Sequence, residues 1–515
     1  MNRIHLIAAA AALVAAGTAS ALTPTEIAAA RTAGTLKEVR IAGASALRLS
    51  VAAYMKEVCD TNTMHVIWNS NSEGTNHRAY ACNLGVVQGS FAVGTPVLVY
   101  KRDQGGSGQG VNPIATIADQ THMRVVDDAT CTTINGGGVV GNGSPAVPSY
   151  ICTGTDTTGI KSDAGISDVE PRLLQDAQNL PAGTLALSTT QLNALDVAPL
   201  AQALFGVTVN KKAYVALQKA QGILPLNATA EEIAAADVPA DQATWTAADI
   251  AKIPSLPETW VRAALTGQLL GGAPNATAKK GWNLVIPTTV DANVLTKTLN
   301  ICRRTEGSGT QATSNTYFGN VGCSVRSGVQ WNPLGVNGSS GNETTTSATV
   351  TSAPVLVQEG TSAGQVENCV GNDANTAVGG VDNTAYAVGY LGREANPKRA
   401  GGDLGYRYVK LDGRAPVRDV GKAGGYPIVF EATMQWNKNL IAVGTEKELF
   451  LKALRAGFGS PNGLAAVDSD TQQGVMSPPA TYAGAYVDLV GNAALFGSRV
   501  ARQNGDSCAA LRIIK

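Results

Sequence analysis

Short apolar runs that end in small polar turns, each followed by apolar residues at helical spacing, recur along this chain. Val39-Arg40-Ile41 runs into Ala42-Gly43-Ala44-Ser45, and Leu47, Val51, Tyr54, Met55 and Val58 follow at helical intervals. This predicts a strand, a turn and a helix with Ser45 as its N-cap. His65 to Trp68 reads as a second strand, with Asn69 to Thr75 as a polar turn before a helix toward Cys82. Gly165-Ile166-Ser167 is a short strand that places Asp168 in the turn after it. Leu299 to Cys302 reads as a buried strand end, followed by Arg303-Arg304-Thr305-Glu306-Gly307-Ser308-Gly309-Thr310. Gln311 to Phe318 lacks Gly and Pro and stops at Gly319, which predicts a short helix. Such units imply a mostly parallel α/β sheet with its loops gathered at one edge.

Between and after these units the pattern changes. Pro96 to Tyr100 is strand-like, whereas Gly105 to Gly110 and Gly136 to Gly143 read as loop, so residues 84–160 are expected to form an insertion. Leu204 to Val209 predicts a strand that ends at Asn210-Lys211-Lys212, and the Ala/Asp-rich stretch from Asn227 to Pro257 is expected at the periphery. Trp260, Val261, Ala264, Leu265 and Leu269 mark an amphipathic helix over Thr259 to Leu270, ended by Gly271-Gly272. Asn320 to Ala353 is rich in Gly, Ser, Asn and Thr and reads as loop. Strands are expected over Ala385 to Leu391 and Pro427 to Met434. Thr445-Glu446-Lys447-Glu448 is a capping box opening a helix to Gly457. No internal repeat is visible.

Composition adds a cellular address. Arg3 precedes an Ala/Leu/Ile/Val run, and Ala19-Ser20-Ala21 offers a small-x-small cleavage site, so residues 1–21 read as a secretory signal peptide cleaved after Ala21. No later stretch approaches the roughly 18 uninterrupted apolar residues of a membrane helix. A periplasmic or secreted protein is expected, most simply a monomer. The 515 residues suffice for two or three domain-sized units. Lys plus Arg and Asp plus Glu both count 39, which leaves no basic field for nucleic acid. Eight cysteines in an exported chain suggest disulfides. Pairing of sequence neighbours would join Cys59 to Cys82, Cys131 to Cys152 and Cys302 to Cys323, leaving Cys369 and Cys508, although spacing alone does not establish connectivity. No C-x-x-C motif points to zinc or thioredoxin-like chemistry, and neither a metal nor a cofactor is expected.

The Arg304 turn carries the clearest chemistry. A Gly-Ser-Gly-Thr turn into a helix leaves unpaired backbone N–H groups aimed at one spot. The hydroxyls of Ser308 and Thr310 add donors, and Arg304 adds charge and a planar fork of N–H groups. These are the parts of a small oxyanion site; the plain alternative is a capped helix beside a surface arginine. Gly360-Thr361-Ser362-Ala363-Gly364 matches a hydrolase nucleophile elbow, but the histidines are His5, His65, His77 and His122, and none follows Ser362. That motif therefore reads as a helix cap. The histidines lack metal-motif spacing, and no Walker A sequence is present.

With these turns in order, the chain resembles the phosphate-specific periplasmic binding proteins of ABC transporters. Phe205-Gly206-Val207-Thr208-Val209-Asn210, Ala387-Val388-Gly389-Tyr390 and Tyr426-Pro427-Ile428 resemble that family's crossover strand, its second-lobe Ile-Gly-Tyr segment and its return crossover. The resemblance implies an enlarged, two-lobed type II α/β fold with mixed sheets flanked by helices. Lobe I would comprise 22–207 and 428–515, and lobe II 208–427. It implies phosphate or a related oxyanion in the interlobe cleft, hinge closure around it, delivery to a transporter permease, and no catalysis. Carried over by residue, Ser45 and Ala46 match the first turn, Ser72 the second, and Asp168 the acid that accepts the ligand's proton. Arg304, Ser308, Gly309 and Thr310 match the second-lobe clamp, with Glu306 as the acid that orients the arginine. Two departures stand out: Ala46 replaces the family's Phe, and the second turn carries Asn71 and Glu73 instead of glycines. A surface or structural protein with a modified site, and a secreted phosphatase, are the alternative readings.

Overall fold

The computed structural model describes residues 22–514 apart from 70–75, 126–129, 135–148, 157–158, 182, 241, 270–280, 324–329, 334–354, 372–385, 400–401, 472–473 and 486–487. The expected signal peptide lies outside the described residues, as do Ser72, Asn71 and Glu73.

A 14-stranded sheet organises the molecule. Its strands are β1 (Lys37–Gly43), β2 (His65–Asn69), β3 (His77–Asn83), β4 (Pro96–Arg102), β5 (Cys131–Thr133), β6 (Ser149–Cys152) and β7 (Ala164–Ser167). They continue with β8 (Leu195–Asn210), β9 (Leu299–Arg304), β10 (Val355–Gly360), β11 (Tyr386–Gly392), β12 (Tyr406–Tyr408), β13 (Val429–Asn437) and β14 (Val475–Met476). Spatially the order is β10-β9-β11-β8-β13-β7-β1-β4-β3-β2-β6-β5, with β12 and β14 also pairing with β8. Pairing is parallel for β1 with β4 and β7, and for β9 with β10 and β11, so the sheets are mixed.

The fold is two-lobed because β8 changes partners along its length. From Leu195 to Leu204 it pairs antiparallel with β13, and from Phe205 to Val209 it pairs antiparallel with β11. Pro199 is accommodated inside this long strand by a register shift before Ala201, since a proline cannot donate to a ladder. At the changeover Phe205 stacks on Tyr390 at 5.7 Å and meets Phe430 edge-on at 6.2 Å. On one side, helix α1 (Arg48–Val58) shares a core of Val51, Met55, Phe450 and Leu454 with the helix Glu446–Phe458. On the other, helix α2 (Gly309–Gly319) packs Ala312 and Phe318 against Ile301 of β9, while helix α3 (Ala363–Gly371) packs Val366 and Val370 around Cys302.

That alternation corrects the disulfide expectation. Successive strand residues face opposite sides of a sheet. Ile301 faces α2, so Cys302 faces α3 and bonds Cys369 there. Cys323, just beyond the C-terminus of α2, instead bonds Cys508 across a sequence separation of 185. The pairs Cys59–Cys82 and Cys131–Cys152 form as neighbours.

Two element expectations also change. The segment running to Cys82 is the strand β3, antiparallel to both β2 and β4, and not a helix. It reads His77-Arg78-Ala79-Tyr80-Ala81-Cys82, and the packing of Tyr80 and Ala79 on opposite faces of the sheet overrides a helical reading. Nor is all of 84–160 an insertion, because β4 lies at the heart of the sheet between β1 and β3. Asn227 to Pro257 forms short helices at Ala230–Ala235 and Ala247–Lys252, each opened by a capping box. The amphipathic helix runs over Glu258–Leu265, shorter than expected, and buries Trp260 against Trp282.

Candidate anion-binding site

Three chain turns and one helix start converge where the two halves of the sheet meet. The first turn follows β1: Ala44 N–H donates to Ile166 O at 2.9 Å, and Ser45–Leu47 form a single 3-10 turn leading into α1. Ser45 does not cap this helix, correcting the N-cap expectation. Its hydroxyl turns instead to the end of β9 and accepts from Arg304 Nη1 at 3.2 Å. Beneath the turn, the fully buried Lys101 of β4 donates to Gly43 O at 2.6 Å and to Ala44 O at 3.3 Å, and pairs with Asp103. Ala46 is buried beside Gly392 and leaves that wall smooth.

The second turn is Gly105-Gly106-Ser107-Gly108-Gln109-Gly110, which follows β4. Its Ser107 hydroxyl accepts from Asp168 N–H at 3.0 Å. Gly108 N–H donates to Gly307 O at 2.7 Å, so the turn reaches across to the Arg304 segment. Whereas Ser72, the second-turn residue expected from the sequence, lies outside the described residues, Ser107 is a further hydroxyl at this spot. A signal for it existed: strand β4, a Gly-Gly-Ser-Gly turn and a helical segment at Asn112–Thr116 repeat the grammar of the other turns.

Asp168 comes from the third turn, just after β7. Thr310 Oγ1 donates to its Oδ2 at 3.3 Å, whereas its Oδ1 is buried with no hydrogen-bond partner among the described residues. Burial pushes this carboxyl up to about 6, against the opposing pull of Arg304, Thr310, Lys101 and Ser107. It is therefore mostly ionised at neutral pH and is a strong acceptor.

The helix start belongs to α2. Ser308 is its N-cap and accepts from Gln311 N–H at 3.3 Å, in line with the expected strand–turn–helix reading. Gly309 sits so close to the first lobe that a Cβ there would lie 2.3 Å from Ser107 Oγ and 2.6 Å from Asp168 Cβ. Only glycine fits that approach. The first-turn N–H groups of α2 have no partners within the helix and, with its dipole, favour an anion.

Arg304 is 3% exposed and held by main-chain carbonyls. Its Nε donates to Gly360 O at 3.2 Å and its Nη2 to Thr361 O at 2.8 Å. Burial lowers this guanidinium to about 10, with Asp168 opposing the shift and Arg48 adding to it. Glu306 was expected to orient the arginine, but it makes neither an ion pair nor a hydrogen bond with Arg304 among the described residues; the two carbonyls do that work. Arg303 turns away and pairs with Glu359 at 2.6 Å. The Gly360–Gly364 motif gains a second use here. Ser362 Oγ accepts from Gln365 N–H at 3.3 Å and caps α3, while the residues before it supply the acceptors for Arg304.

Ser45, Asp168, Arg304, Ser308, Gly309 and Thr310, drawn from three separated stretches, thus form one buried group, with Ser107 added from a fourth. Such a set offers N–H and hydroxyl donors, one cation and one acceptor to a small oxyanion. Among the described residues no cluster of three or more His, Cys, Asp or Glu side chains could hold a metal ion.

No family model matches the chain, and no curated protein matches it. It is similar to solved phosphate-transport proteins. One, described as a phosphate ABC transporter substrate-binding protein from Clostridium perfringens with bound phosphate, is 11% identical over 85% of this chain and 99% of that one, with a TM-score of 0.36. For an ABC-type phosphate transport receptor from Vibrio cholerae the figures are 11%, 81%, 94% and 0.33. A phosphate-binding protein from Stenotrophomonas maltophilia is 14% identical over 59% of this chain and 69% of that one, with a TM-score of 0.28. At such identity and superposition these likenesses carry no functional argument, and the geometry of the site has to carry it.

Proposed function

We propose that this chain is an exported solute-binding protein that holds inorganic phosphate between its lobes and passes it to an ABC transporter permease. The observation that carries the reading is the buried pairing of opposites around one spot. Arg304 and the start of α2 favour an anion there, yet Asp168 offers an unpartnered carboxylate oxygen to the same place. A carboxylate facing an anion is favourable only when a proton lies between them, and hydrogen phosphate carries one. In this reading Ser45, Ala46, Ser107 and Asp168 grip from one lobe, and Arg304, Ser308, Gly309 and Thr310 from the other. The first lobe comprises the chain up to the partner change of β8 together with the chain from β13 onward, and the second lies between.

Isothermal titration of refolded, ligand-stripped protein tests this directly. Phosphate should bind at one site per chain and sulfate far more weakly. Absence of phosphate binding, or equal binding of both anions, would overturn the assignment.

A further inference from the structure

We infer that the Cys323–Cys508 disulfide is a covalent clamp that limits how far the two lobes separate. The inference rests on the interlobe reading of the site given above. Cys323 lies just past the C-terminus of α2, where Asn320 adopts a left-handed conformation and accepts from Cys323 N–H at 3.2 Å. Cys508 lies in a C-terminal segment fastened to the other lobe. There Gln202 of β8 donates to Val500 O at 2.8 Å, Arg502 N–H donates to Glu431 of β13 at 2.9 Å, and Ser507 N–H donates to Glu170 at 2.7 Å.

The other three bridges stay within one side of the molecule. Cys59–Cys82 joins the end of α1 to β3, Cys131–Cys152 joins neighbouring strands, and Cys302–Cys369 joins β9 to α3. Among the described residues only Cys323–Cys508 joins the α2 lobe to the segment anchored on β8, β13 and Glu170.

The position of this bridge matters because α2 is the moving part of the site. Its N-terminus meets Asp168 and Ser107, and its side chain Asn315 donates to Asn179 Oδ1 at 3.0 Å and to Gln178 O at 3.1 Å on the first lobe. Opening the cleft requires all of these contacts to part together. Two chain crossings by themselves allow such a rotation about a hinge. A third covalent link at the far end of α2, about 16 Å along the helix from its N-terminus, removes most of that freedom. The bridge also borders an open cavity of about 650 Å³ lined by Glu170, Arg172, Leu173 and Asp506, and half-exposed Cys508 makes it accessible to a dithiol.

The test compares the native protein with the Cys323→Ser/Cys508→Ser double variant. Non-reducing peptide mapping should first find Cys323 joined to Cys508; free thiols at both would overturn the clamp. Small-angle scattering without ligand should then show a compact bridged protein and an expanded variant that phosphate closes. Phosphate should also leave the variant at least tenfold faster. Equal ligand-free dimensions and equal dissociation rates would overturn the inference. If the variant does not fold, brief dithiothreitol treatment of native protein serves instead. The dithiol gives two electrons and two protons to the bridge, attacking at half-exposed Cys508, closing to its own cyclic disulfide and leaving two thiols, which mass spectrometry locates. Failure of either form to bind phosphate would count against the proposed function, while the ligand-free scattering would still decide the clamp.

Discussion

At the residue scale the site turns on Asp168 and Arg304, which share a buried group without forming an ion pair. Asp168, mostly ionised at neutral pH, can accept a hydrogen bond from the O–H of hydrogen phosphate, while sulfate would present only a lone pair to it. In the proposed function, discrimination would come from repulsion aimed at the wrong ligand. Asp168→Asn should narrow the gap between phosphate and sulfate, chiefly by admitting sulfate, as read by competition titration; an unchanged preference would remove Asp168 as the proton acceptor. Arg304 is fixed by Gly360 O and Thr361 O, and its fork reaches Ser45. A lysine keeps the charge but cannot keep those three directions, so Arg304→Lys should weaken phosphate binding by about 1–3 kcal/mol. Arg303→Ala should leave affinity nearly intact. Because it breaks the buried Arg303–Glu359 pair, it should instead cost stability, on the order of 3–5 kcal/mol in a denaturant melt. Loss of binding in Arg303→Ala with retention in Arg304→Lys would reverse the register.

At the element scale, a functional turn is defined by the strand that feeds it. β1, β4 and β7 lie side by side in the sheet, with β4 and β7 both parallel to β1, so the turns after all three emerge at one edge. β2 and β3 pair antiparallel at the flank of these three strands. Ser107→Ala should therefore weaken phosphate binding more than Ser72→Ala. Loss of its hydroxyl also leaves Asp168 N–H without its acceptor, a cost of about 1–3 kcal/mol in all. Titration of both variants decides it: a larger loss in Ser72→Ala would restore the original assignment.

At the scale of the whole molecule, buried acids make stability depend on pH. Burial raises Asp168 to about 6 and Glu170 to about 7, from ordinary values of 3.8 and 4.5. The folded state therefore keeps protons that the unfolded chain has released, and stability falls as pH rises from about 4 to 7. For Asp168 the loss is on the order of 3 kcal/mol at most. Asp403 is shifted the other way, chiefly by its hydrogen bond to Arg407, so its contribution is lost only as pH falls below the ordinary aspartate range. Melting temperatures of phosphate-free protein should decline between about pH 4 and 7, and Asp168→Asn should flatten the part between about 4 and 6. A melting curve that rises through that window would contradict the burial of these acids.

Much of this molecule is determined locally. Strand β9, the Ser308 cap and α2 follow from an apolar run, a Gly-Ser-Gly-Thr turn and eight residues without Gly or Pro. Those are short-range effects of propensity and capping. The opposite facing of Arg303 and Arg304 follows from strand alternation. Tertiary structure decided the rest. Whether a Gly/Ser turn joins the site depends on where its strand lies in the sheet, and β4, paired directly with β1, brings Ser107 there. The partner of Cys302 depends on which face of β9 each helix covers, and that of Cys323 on a C-terminal segment 185 residues away. The acceptors that hold Arg304 are main-chain carbonyls at the end of a neighbouring strand. They carry no side-chain signature, and only the pairing of β9 with β10 brings them within reach.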